Sequence, residues 1–169
     1  MTTVDMCRRE KDLTVSFQLN IDKWNSMDQN IREMVSQPWE SVKFLDETGT
    51  KINSEVSRVP NDKGGIYVFV IKPEIIPDVH RYIMYIGRAR KKLGFSLQKR
   101  CKEYINDNRV KIMYMREEWG DQLYFYYLPL DSDEDIEKIE RELIRVIIPP
   151  CNTAIPDQYV SFSQPTAAF

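Results

Sequence analysis

The chain has 169 residues, of which 42% are hydrophobic and 11% aromatic, so it can build one packed core together with an N-terminal extension. Its 24 Lys and Arg residues are nearly balanced by 26 Asp and Glu residues; the net charge of −2 argues against a protein coated in basic residues but allows a local basic patch. The sequence shows neither a long apolar run nor a signal peptide, which predicts a cytoplasmic protein without a membrane span.

The N-terminal third is predicted to form a strand, a helix and a second strand. Apolar and polar residues alternate from Leu13 to Ile21, which indicates a half-buried strand. Asp22 can cap a helix that ends at Pro38, and Val42–Leu45 is a weaker strand. The helix has apolar residues at helical spacing, namely Trp24, Met27, Ile31, Met34 and Val35.

Two apolar runs in the middle of the chain predict a β-hairpin. The run Gly65–Ile71 is apolar on both faces, so we expect a central strand, and Tyr82–Ile86 returns after a loop over Lys72–Arg81. In an antiparallel pair the start of the first strand lies beside the end of the second. The pattern therefore places Tyr67 and Tyr85 together at one end of the sheet.

The segment after the hairpin contains a helix, an ambiguous stretch and a strand. Ser96 can cap the helix at its N-terminus. The pattern of residues 109–116 is compatible with either a strand or a helix, and Gln122–Leu128 is predicted to form a strand. The helix is expected to bury one stripe, consisting of Leu97, Cys101, Tyr104 and Ile105.

A final helix begins after Ser132 or Asp133, stops at Pro149-Pro150, and directs one carboxylate inward. Its apolar stripe consists of Ile136, Ile139, Leu143, Ile144 and Ile147. On a helical wheel Glu140 falls inside that stripe. An inward carboxylate costs free energy unless a cation or hydrogen bonds compensate it, so Glu140 is either a structural partner of an arginine or a functional residue.

The cysteines and the histidine do not point to a catalytic or zinc site. Cys7, Cys101 and Cys151 are scattered and odd in number, which predicts neither a disulfide framework nor a paired zinc site and fits a reducing compartment. His80, the one histidine, falls in the predicted hairpin loop and is interpreted as an ordinary solvated residue.

Two residue triplets in the predicted hairpin are followed, in sequence order, by a set of single residues and a pair in the later elements. They are Gly65-Ile66-Tyr67, Tyr85-Ile86-Gly87, Arg100, Tyr104, Glu140, Leu143-Ile144, Pro149 and Asn152. Together they resemble the GIY-YIG nuclease family from about Gly64 to Asn152. Each triplet alone is a weak signal, but the ordered set is specific because each member lies in its expected element. The chain accordingly divides into an extension (1–60), a nuclease-like core (61–155) and a tail (156–169).

The resemblance implies an α+β fold, with a small, mainly antiparallel sheet flanked by helices, and a metal-dependent DNA endonuclease activity. It implies water attack on the phosphodiester and products with a 5′-phosphate and a 3′-hydroxyl. The implied catalytic residues are Tyr67, Tyr85, Arg88, Arg100, Tyr104, Glu140 and Asn152.

The chemistry of these residue types agrees with such roles. Glu140 would bind Mg²⁺ or Mn²⁺, since Mg²⁺ keeps several waters and needs few protein ligands. The guanidinium of Arg100, or of Arg88, matches a phosphate oxygen. A free phenol has a pKa of roughly 10 and is a poor base unless a cation lowers it, so either tyrosine could activate the water. We favour Tyr67 slightly, and Tyr104 could serve a proton relay or fill the core.

Basic residues follow the second strand, whereas acidic residues concentrate between Asp131 and Glu142. The expected DNA contacts are Arg88, Arg90, Lys91, Lys92, Lys99 and Arg100. The loop 89–96 is longer than in compact relatives, and we interpret it as an additional DNA-contacting loop. The alternative is an ordinary solvated loop and helix face.

The stand-alone size favours a bacterial or phage-borne enzyme of restriction, phage defence or DNA processing. Specificity is expected to come from residues 1–60, the loops, a second subunit in a homodimer or a partner protein, because the sequence shows no appended recognition module. RNA is an alternative substrate, since the sequence shows no feature that would distinguish RNA from DNA by contacting the 2′-hydroxyl group. The competing hypothesis is a non-catalytic nucleic-acid-binding or adaptor protein built on a nuclease scaffold.

Overall fold

The computed structural model describes residues 15–91 and 94–154 of the chain. Within them lie five α-helices: α1 (Ile21–Asn25), α2 (Gln29–Val35), α3 (Leu97–Glu103), α4 (Val110–Trp119) and α5 (Asp133–Ile147). Four strands accompany them: β1 (Glu40–Lys43), β2 (Gly64–Ile71), β3 (Tyr82–Ala89) and β4 (Leu123–Leu130). Turns of 3₁₀ helix cover Ser54–Arg58, Tyr104–Asn106 and Gly120–Gln122.

The four strands form one sheet in the order β1-β4-β2-β3, and every neighbouring pair is antiparallel. All residues of β2 are buried between β4 and β3, which confirms the predicted central strand. With helices flanking the sheet, the fold is α+β, as predicted. The segment expected to be an extension supplies β1, and therefore one edge of this sheet.

Alternate side chains of β2 divide the core into two layers. Tyr67, Phe69 and Ile71 pack on the face covered by α3 and α4. Ile66, Val68 and Val70 pack on the opposite face, against the apolar stripe of α5. The two faces are therefore separated by a continuous sheet, and side chains from both can meet only around one of its edges.

The helix ends follow from local side-chain chemistry. Ser96 accepts a hydrogen bond from the backbone N–H of Lys99 (3.1 Å), which confirms the predicted cap of α3. Ser132 caps α5 in the same way, through Asp135 N–H at 3.2 Å. Three acidic residues in the first turn of α5 suit the positive end of the helix dipole.

The predicted first strand is wrong over its described part. Residues 13 and 14 lie outside the described residues, 15–20 form no strand, and Ile21 already begins α1. Val15 packs against the core and Phe17 stacks on Tyr82 (5.5 Å), but the side chain of Leu19 is 79% exposed. Alternating apolar and polar residues allow a strand to bury one face. A strand also has to pair with the edge of a sheet, and residues 15–20 do not pair with one.

The single helix predicted after Asp22 is also wrong. The chain forms two short helices, α1 capped by Asn20 and α2 capped by Asp28. Asp28 accepts the backbone N–H of Ile31 at 3.1 Å, so it begins a new helix rather than continuing the first. Apolar spacing alone did not reveal the break, because Met27 and the apolar residues of α2 pack in the layer of α5, whereas Ile21 and Trp24 of α1 stay exposed.

Two weaker predictions are settled by the structure. The ambiguous stretch 109–116 lies mainly in α4, which buries Ile112 and Met115. The weak strand predicted at Val42–Leu45 begins at Glu40 and ends at Lys43, and Leu45 continues in an isolated bridge to Ile52.

Among the described residues, no helix has the length and apolar character needed to cross a membrane. Cys101 and Cys151 are buried free thiols, and Cys7 lies outside the described residues. The ring of His80 contacts the hydroxyl of Tyr82 at 2.7 Å in the hairpin region.

The C-terminal loop covers part of the outer edge of β3. The side chain of Asn152 accepts a hydrogen bond from Ile86 N–H (2.9 Å) and donates one to Ile86 C=O (2.8 Å). The backbone N–H of Cys151 donates to Met84 C=O at 2.9 Å. Asn152 thus acts as the partner that an edge strand otherwise lacks, and it satisfies two backbone groups away from water.

Replacing Asn152 by Ala should lower the free energy of unfolding by about 1–3 kcal/mol, because it leaves two backbone groups of Ile86 unsatisfied. Urea denaturation followed by circular dichroism measures this change. Asn152→Asp keeps the acceptor for Ile86 N–H but sets a carboxylate oxygen against Ile86 C=O, so it should lose at least as much. The exposed Asn61→Ala is the control and should change stability by under about 0.5 kcal/mol. Equal values for Asn152→Ala and Asn61→Ala would refute the clamp.

Candidate active site at the edge of the sheet

A cleft of about 270 Å³ opens at the β3 edge of the sheet. It is lined by Tyr67, Tyr85, Arg88, Arg90, Phe95, Arg100 and Glu140. These residues come from β2, β3, the following loop, α3 and α5. Five of them are sequence-predicted catalytic residues, so the fold brings together groups that are far apart along the chain.

Gly87 lets the ring of Tyr67 cross from β2 over β3. The two residues are partners in the register, and a Cβ on Gly87 would lie 2.5 Å from both Cζ and the hydroxyl oxygen of Tyr67. Because β3 is the next strand outward, the hydroxyl end of Tyr67 reaches the rim of the sheet. A side chain at position 87 would occupy that space.

The two predicted tyrosines are diagonal neighbours on one face, with Tyr104 between them. Tyr67 pairs with Gly87, whereas Tyr85 pairs with Phe69. The hydroxyls of Tyr67 and Tyr104 share a hydrogen bond of 2.8 Å. The Tyr104 ring lies 5.8 Å from the Tyr67 ring and 5.6 Å from that of Tyr85. Tyr104 is therefore buried behind the cleft and connects the two phenols.

The environment opposes ionisation of the inner phenols. Burial raises the pKa of Tyr67 well above its usual value, with Tyr85 adding to the rise, while Arg100 acts in the opposite direction. Burial likewise raises the pKa of Tyr104. In this arrangement both hydroxyls keep their protons at neutral pH, so they donate and accept hydrogen bonds rather than carry charge.

Arg100 is held between aromatic rings. Its guanidinium carbon lies 5.5 Å from the centre of the Phe95 ring and 5.8 Å from that of Tyr104. Glu103 accepts a 2.6 Å hydrogen bond from its Nη1. The cation is thus oriented by rings and one carboxylate and remains beside the phenol of Tyr67.

Opposite charges meet on the α5 side of the cleft. Arg88 Nη1 lies 2.8 Å from Glu140 Oε2 and 3.6 Å from Glu137 Oε1. Arg90 Nη1 lies 3.3 Å from the other oxygen of Glu137. Two arginines of the β3 edge therefore share two carboxylates one turn apart on α5.

Glu140 is held as an inward carboxylate, as its place on the helical wheel predicts. Its side chain is only 17% exposed. Burial raises the pKa of Glu140, and the attraction of Arg88 offsets this only in part. The site thus keeps a carboxylate where its charge is costly, which is typical of functional groups and also of structural ion pairs.

The donor set fits a divalent cation only if most ligands come from water and substrate. Among the described residues, no group of three or more His, Cys, Asp or Glu side chains could hold a metal ion. Glu140 offers one carboxylate in the cleft, with Glu137 nearby through Arg88. Mg²⁺ binds in this manner beside phosphate groups, so the residues suit it in the presence of a phosphodiester.

Several predicted residues lie away from the cleft lining. Lys91 and Lys99 are exposed near it, and Lys99 Nζ lies 5.0 Å from the centre of the Phe95 ring. Lys92 lies outside the described residues. Asn152 supports β3 from its outer edge rather than lining the cleft.

Sequence reasoning did not find two residues of this region, Phe95 and Arg109. Phe95 belongs to the loop before α3, and its ring lies below Arg100. Arg109 places its guanidinium carbon 5.5 Å from the centre of the Tyr85 ring. The spacing Asp107-x-Arg109 ahead of a helix is the one sequence signal that could have suggested an ordered arginine there.

Four larger clefts lie elsewhere among the described residues, and none of them combines phenols with arginines and a carboxylate. One, of about 550 Å³, lies between α2 and α5 and is lined by charged residues without a tyrosine. Another, of about 480 Å³, includes Asn152 but otherwise mainly apolar or uncharged residues, many of them from α4 and the C-terminal loop. Size alone would therefore select the wrong place, and the convergence of charged and phenolic groups marks the 270 Å³ cleft as the candidate site.

Comparison of the chain with protein-family models, with curated proteins and with solved structures finds no match. The functional interpretation consequently rests on the residues and their geometry.

Gly87→Ala should lower the free energy of unfolding by about 1–3 kcal/mol, because the added methyl group overlaps the Tyr67 ring. Urea denaturation measures this. In a Tyr67→Leu background the same change should cost clearly less, since the obstructing ring is absent. An equal cost in both backgrounds would show that the Tyr67 ring does not set the requirement for glycine.

The raised pKa of Glu140 predicts an inverted pH dependence of stability. The folded protein keeps the proton of Glu140 to higher pH than the unfolded chain, so stability falls as pH rises above the ordinary glutamate value of about 4.3. In metal-free buffer, Glu140→Gln should therefore gain stability relative to wild type between about pH 4 and pH 7. Urea denaturation at several pH values measures the difference.

Glu142 is the matched control on the same helix. Its side chain is 15% exposed and lies 2.6 Å from Arg145, whose hydrogen bond lowers the pKa of Glu142. Glu142→Gln should thus lose stability relative to wild type over the same pH range, the opposite direction. Parallel curves for the two variants would refute the assigned difference between the carboxylates.

Proposed function

We propose that this protein is a metal-dependent endonuclease that hydrolyses phosphodiester bonds in DNA. The observation that carries the proposal is the single cleft in which two tyrosines, two arginines and one inward glutamate converge from four elements. The same five residues carry the resemblance to the GIY-YIG nucleases, so an argument from sequence order and an argument from geometry agree on one location.

The arginines are suited to hold the scissile phosphate. Arg100 remains charged at all working pH values, and its guanidinium already lies in the cleft beside Tyr67. Arg88 is paired with Glu140 in the resting arrangement and has a second carboxylate, Glu137, within 3.6 Å. Positioned cations of this kind stabilise the charge that develops during phosphodiester hydrolysis.

Glu140 would hold the metal ion, Mg²⁺ or Mn²⁺. Such an ion stabilises negative charge on the attacked phosphodiester and on the leaving oxygen. The contribution of the chain is to fix one carboxylate on α5, opposite the phenols and the guanidinium of Arg100.

The phenols orient the attacking water. The ring of Tyr67 occupies the space that the absent side chain of Gly87 leaves open. Its hydroxyl is oriented by the 2.8 Å hydrogen bond to Tyr104. Because burial raises the pKa of Tyr67, its phenol must first lose its own proton, with the help of additional positive charge in the cleft, before the phenolate can accept a proton from water. Arg100 already acts in that direction.

The surroundings of the cleft suit a nucleic-acid backbone. A volume of about 270 Å³ admits a phosphodiester group but not a duplex, so DNA would lie across the sheet edge with one phosphate inserted. Arg90 lines the cleft, Lys99 is exposed beside Phe95, and the exposed Lys91 follows Arg90 in the chain, so these cations can neutralise flanking phosphates. One cleft cuts one strand, and a double-strand break requires a second copy or a second event.

A non-catalytic DNA-binding protein is the alternative, favoured by one observation. Glu140 is bound by Arg88 at 2.8 Å, and the described residues offer no cluster of three metal ligands. If that ion pair is permanent, the cleft binds phosphate without cutting it. Such a protein would contribute to restriction, phage defence or DNA processing only through partners.

Supercoiled plasmid should be nicked or cut by the wild type with Mg²⁺ or Mn²⁺ and should stay intact with chelator. Glu140→Gln should lower the rate by at least about a hundredfold, because it removes the carboxylate that would hold the ion. Glu142→Gln, an equally buried and arginine-paired residue of α5, is the control and should keep most of the activity.

The results separate the two functions. If the plasmid stays uncut with each metal ion but the protein retards its migration on a gel, the result supports a DNA-binding protein instead of a nuclease. Equal losses in Glu140→Gln and Glu142→Gln would point to damage of α5, which circular dichroism would detect. Discrete fragments would indicate a sequence-specific enzyme, and an RNA of the same sequence tests the other substrate.

A further inference from the structure

The turn that follows α3 is fixed by an arginine of α4. Nη1 of Arg116 donates to the carbonyl oxygens of Ile105 (2.7 Å), Tyr104 (3.1 Å) and Asp107 (3.4 Å). The side chain of Arg116 is only 16% exposed. A largely buried cation that bonds three carbonyl groups within four residues gives this turn one defined conformation.

The same turn directs a second arginine. Asp107 accepts hydrogen bonds from Nε (3.1 Å) and Nη2 (2.7 Å) of Arg109, and from its backbone N–H (2.9 Å). This bidentate pairing fixes the plane of the guanidinium and leaves Nη1 on the other side. The hydrogen bond from Arg109 also lowers the pKa of Asp107, so the carboxylate stays charged near neutral pH.

The remaining nitrogen of Arg109 is directed at the candidate site. Nη1 lies 3.4 Å from the hydroxyl oxygen of Tyr85, and the guanidinium carbon lies 5.5 Å and 5.7 Å from the ring centres of Tyr85 and Tyr104. Arg109 is not among the residues that line the cleft, whereas Tyr85 is. Arg109 therefore acts on the cleft through its contact with Tyr85 and, from behind the cleft, through the ring of Tyr104.

We propose that Arg109, oriented by Asp107, is a positioning residue that fixes the hydroxyl of Tyr85 in the active site. This inference rests on the proposed nuclease function. Nη1 donates to the phenolic oxygen, which leaves the phenolic proton directed into the cleft toward a phosphate oxygen or a water. Tyr104 bonds the hydroxyl of Tyr67 and packs beside Tyr85, and Arg109 adds the hydrogen bond that orients the hydroxyl of Tyr85.

A simpler role would be that of a surface cation attracting DNA, since the side chain of Arg109 is 51% exposed. The two roles differ in a measurable way. A general cation contributes to DNA affinity whatever occupies position 85, whereas a positioning residue loses its effect when the Tyr85 hydroxyl is removed.

The test is a double-mutant cycle with Arg109→Gln and Tyr85→Phe, measured as single-turnover cleavage at saturating protein. Alone, Arg109→Gln should slow cleavage by about tenfold, and in the Tyr85→Phe background by under about twofold. Arg109→Lys should not restore the rate, because an ammonium cannot pair with Asp107 in two places and reach Tyr85. Arg58→Gln removes an equal charge from a surface ion pair and serves as the control.

A second readout does not depend on cleavage. With ¹³Cζ-labelled tyrosine, Arg109→Gln should move the NMR signal that disappears in Tyr85→Phe, and Arg58→Gln should leave it in place. Equal slowing by Arg109→Gln in both backgrounds would overturn the positioning role. Weaker DNA affinity without any slowing at saturating protein would overturn it too, in favour of DNA attraction. An unmoved Tyr85 signal would overturn the contact itself, even if the wild type fails to cut DNA and the proposed function falls.

Discussion

The close approach of Tyr67 to Gly87 is the constraint on which the candidate site depends. The side chain of a central strand is normally buried in the sheet interior, and Tyr67 indeed has no exposed surface. Because position 87 has no side chain, the ring extends across β3 and brings its hydroxyl to the sheet edge. A group from the best-packed part of the core thereby becomes available to a cleft while its position stays rigid.

Charge in the cleft is balanced internally before any ligand arrives. Burial makes the carboxylate of Glu140 unfavourable, and Arg88 at 2.8 Å provides the compensation. A phosphate would provide a new counter-charge for Arg88, and a metal ion would provide one for Glu140. Glu137 already lies within ion-pair distance of both Arg88 and Arg90. The ion pair is therefore compatible with a resting state, but it does not stabilise the fold, because the desolvation of Glu140 outweighs the attraction of Arg88.

Local patterns predicted the elements that are buried on a regular face, and they failed where tertiary neighbours decide. The two-sided apolar run of β2 and the stripe of α5 with its inward Glu140 follow from periodicity, so the sheet centre and one cleft residue were predictable. The alternation of apolar and polar residues over 15–20 does not indicate whether these residues will pair with a strand at the edge of the sheet, and they do not. Arg109 acquires its place only because α4 and the preceding turn fold against β3, which no short spacing in the sequence records.

The position of the cleft follows from the topology. Tyr67 and Tyr85 lie on one face of the sheet, whereas Arg88 contacts α5 on the other, so these groups can meet only around the free edge of β3. The C-terminal loop closes that edge at Met84 and Ile86 through Cys151 and Asn152. Among the described residues, the opening therefore lies at the strand end that begins at Gly87, where the missing side chain lets the two faces meet. The phosphate group of the proposed substrate could contact phenols, guanidinium groups and the carboxylate together at this point.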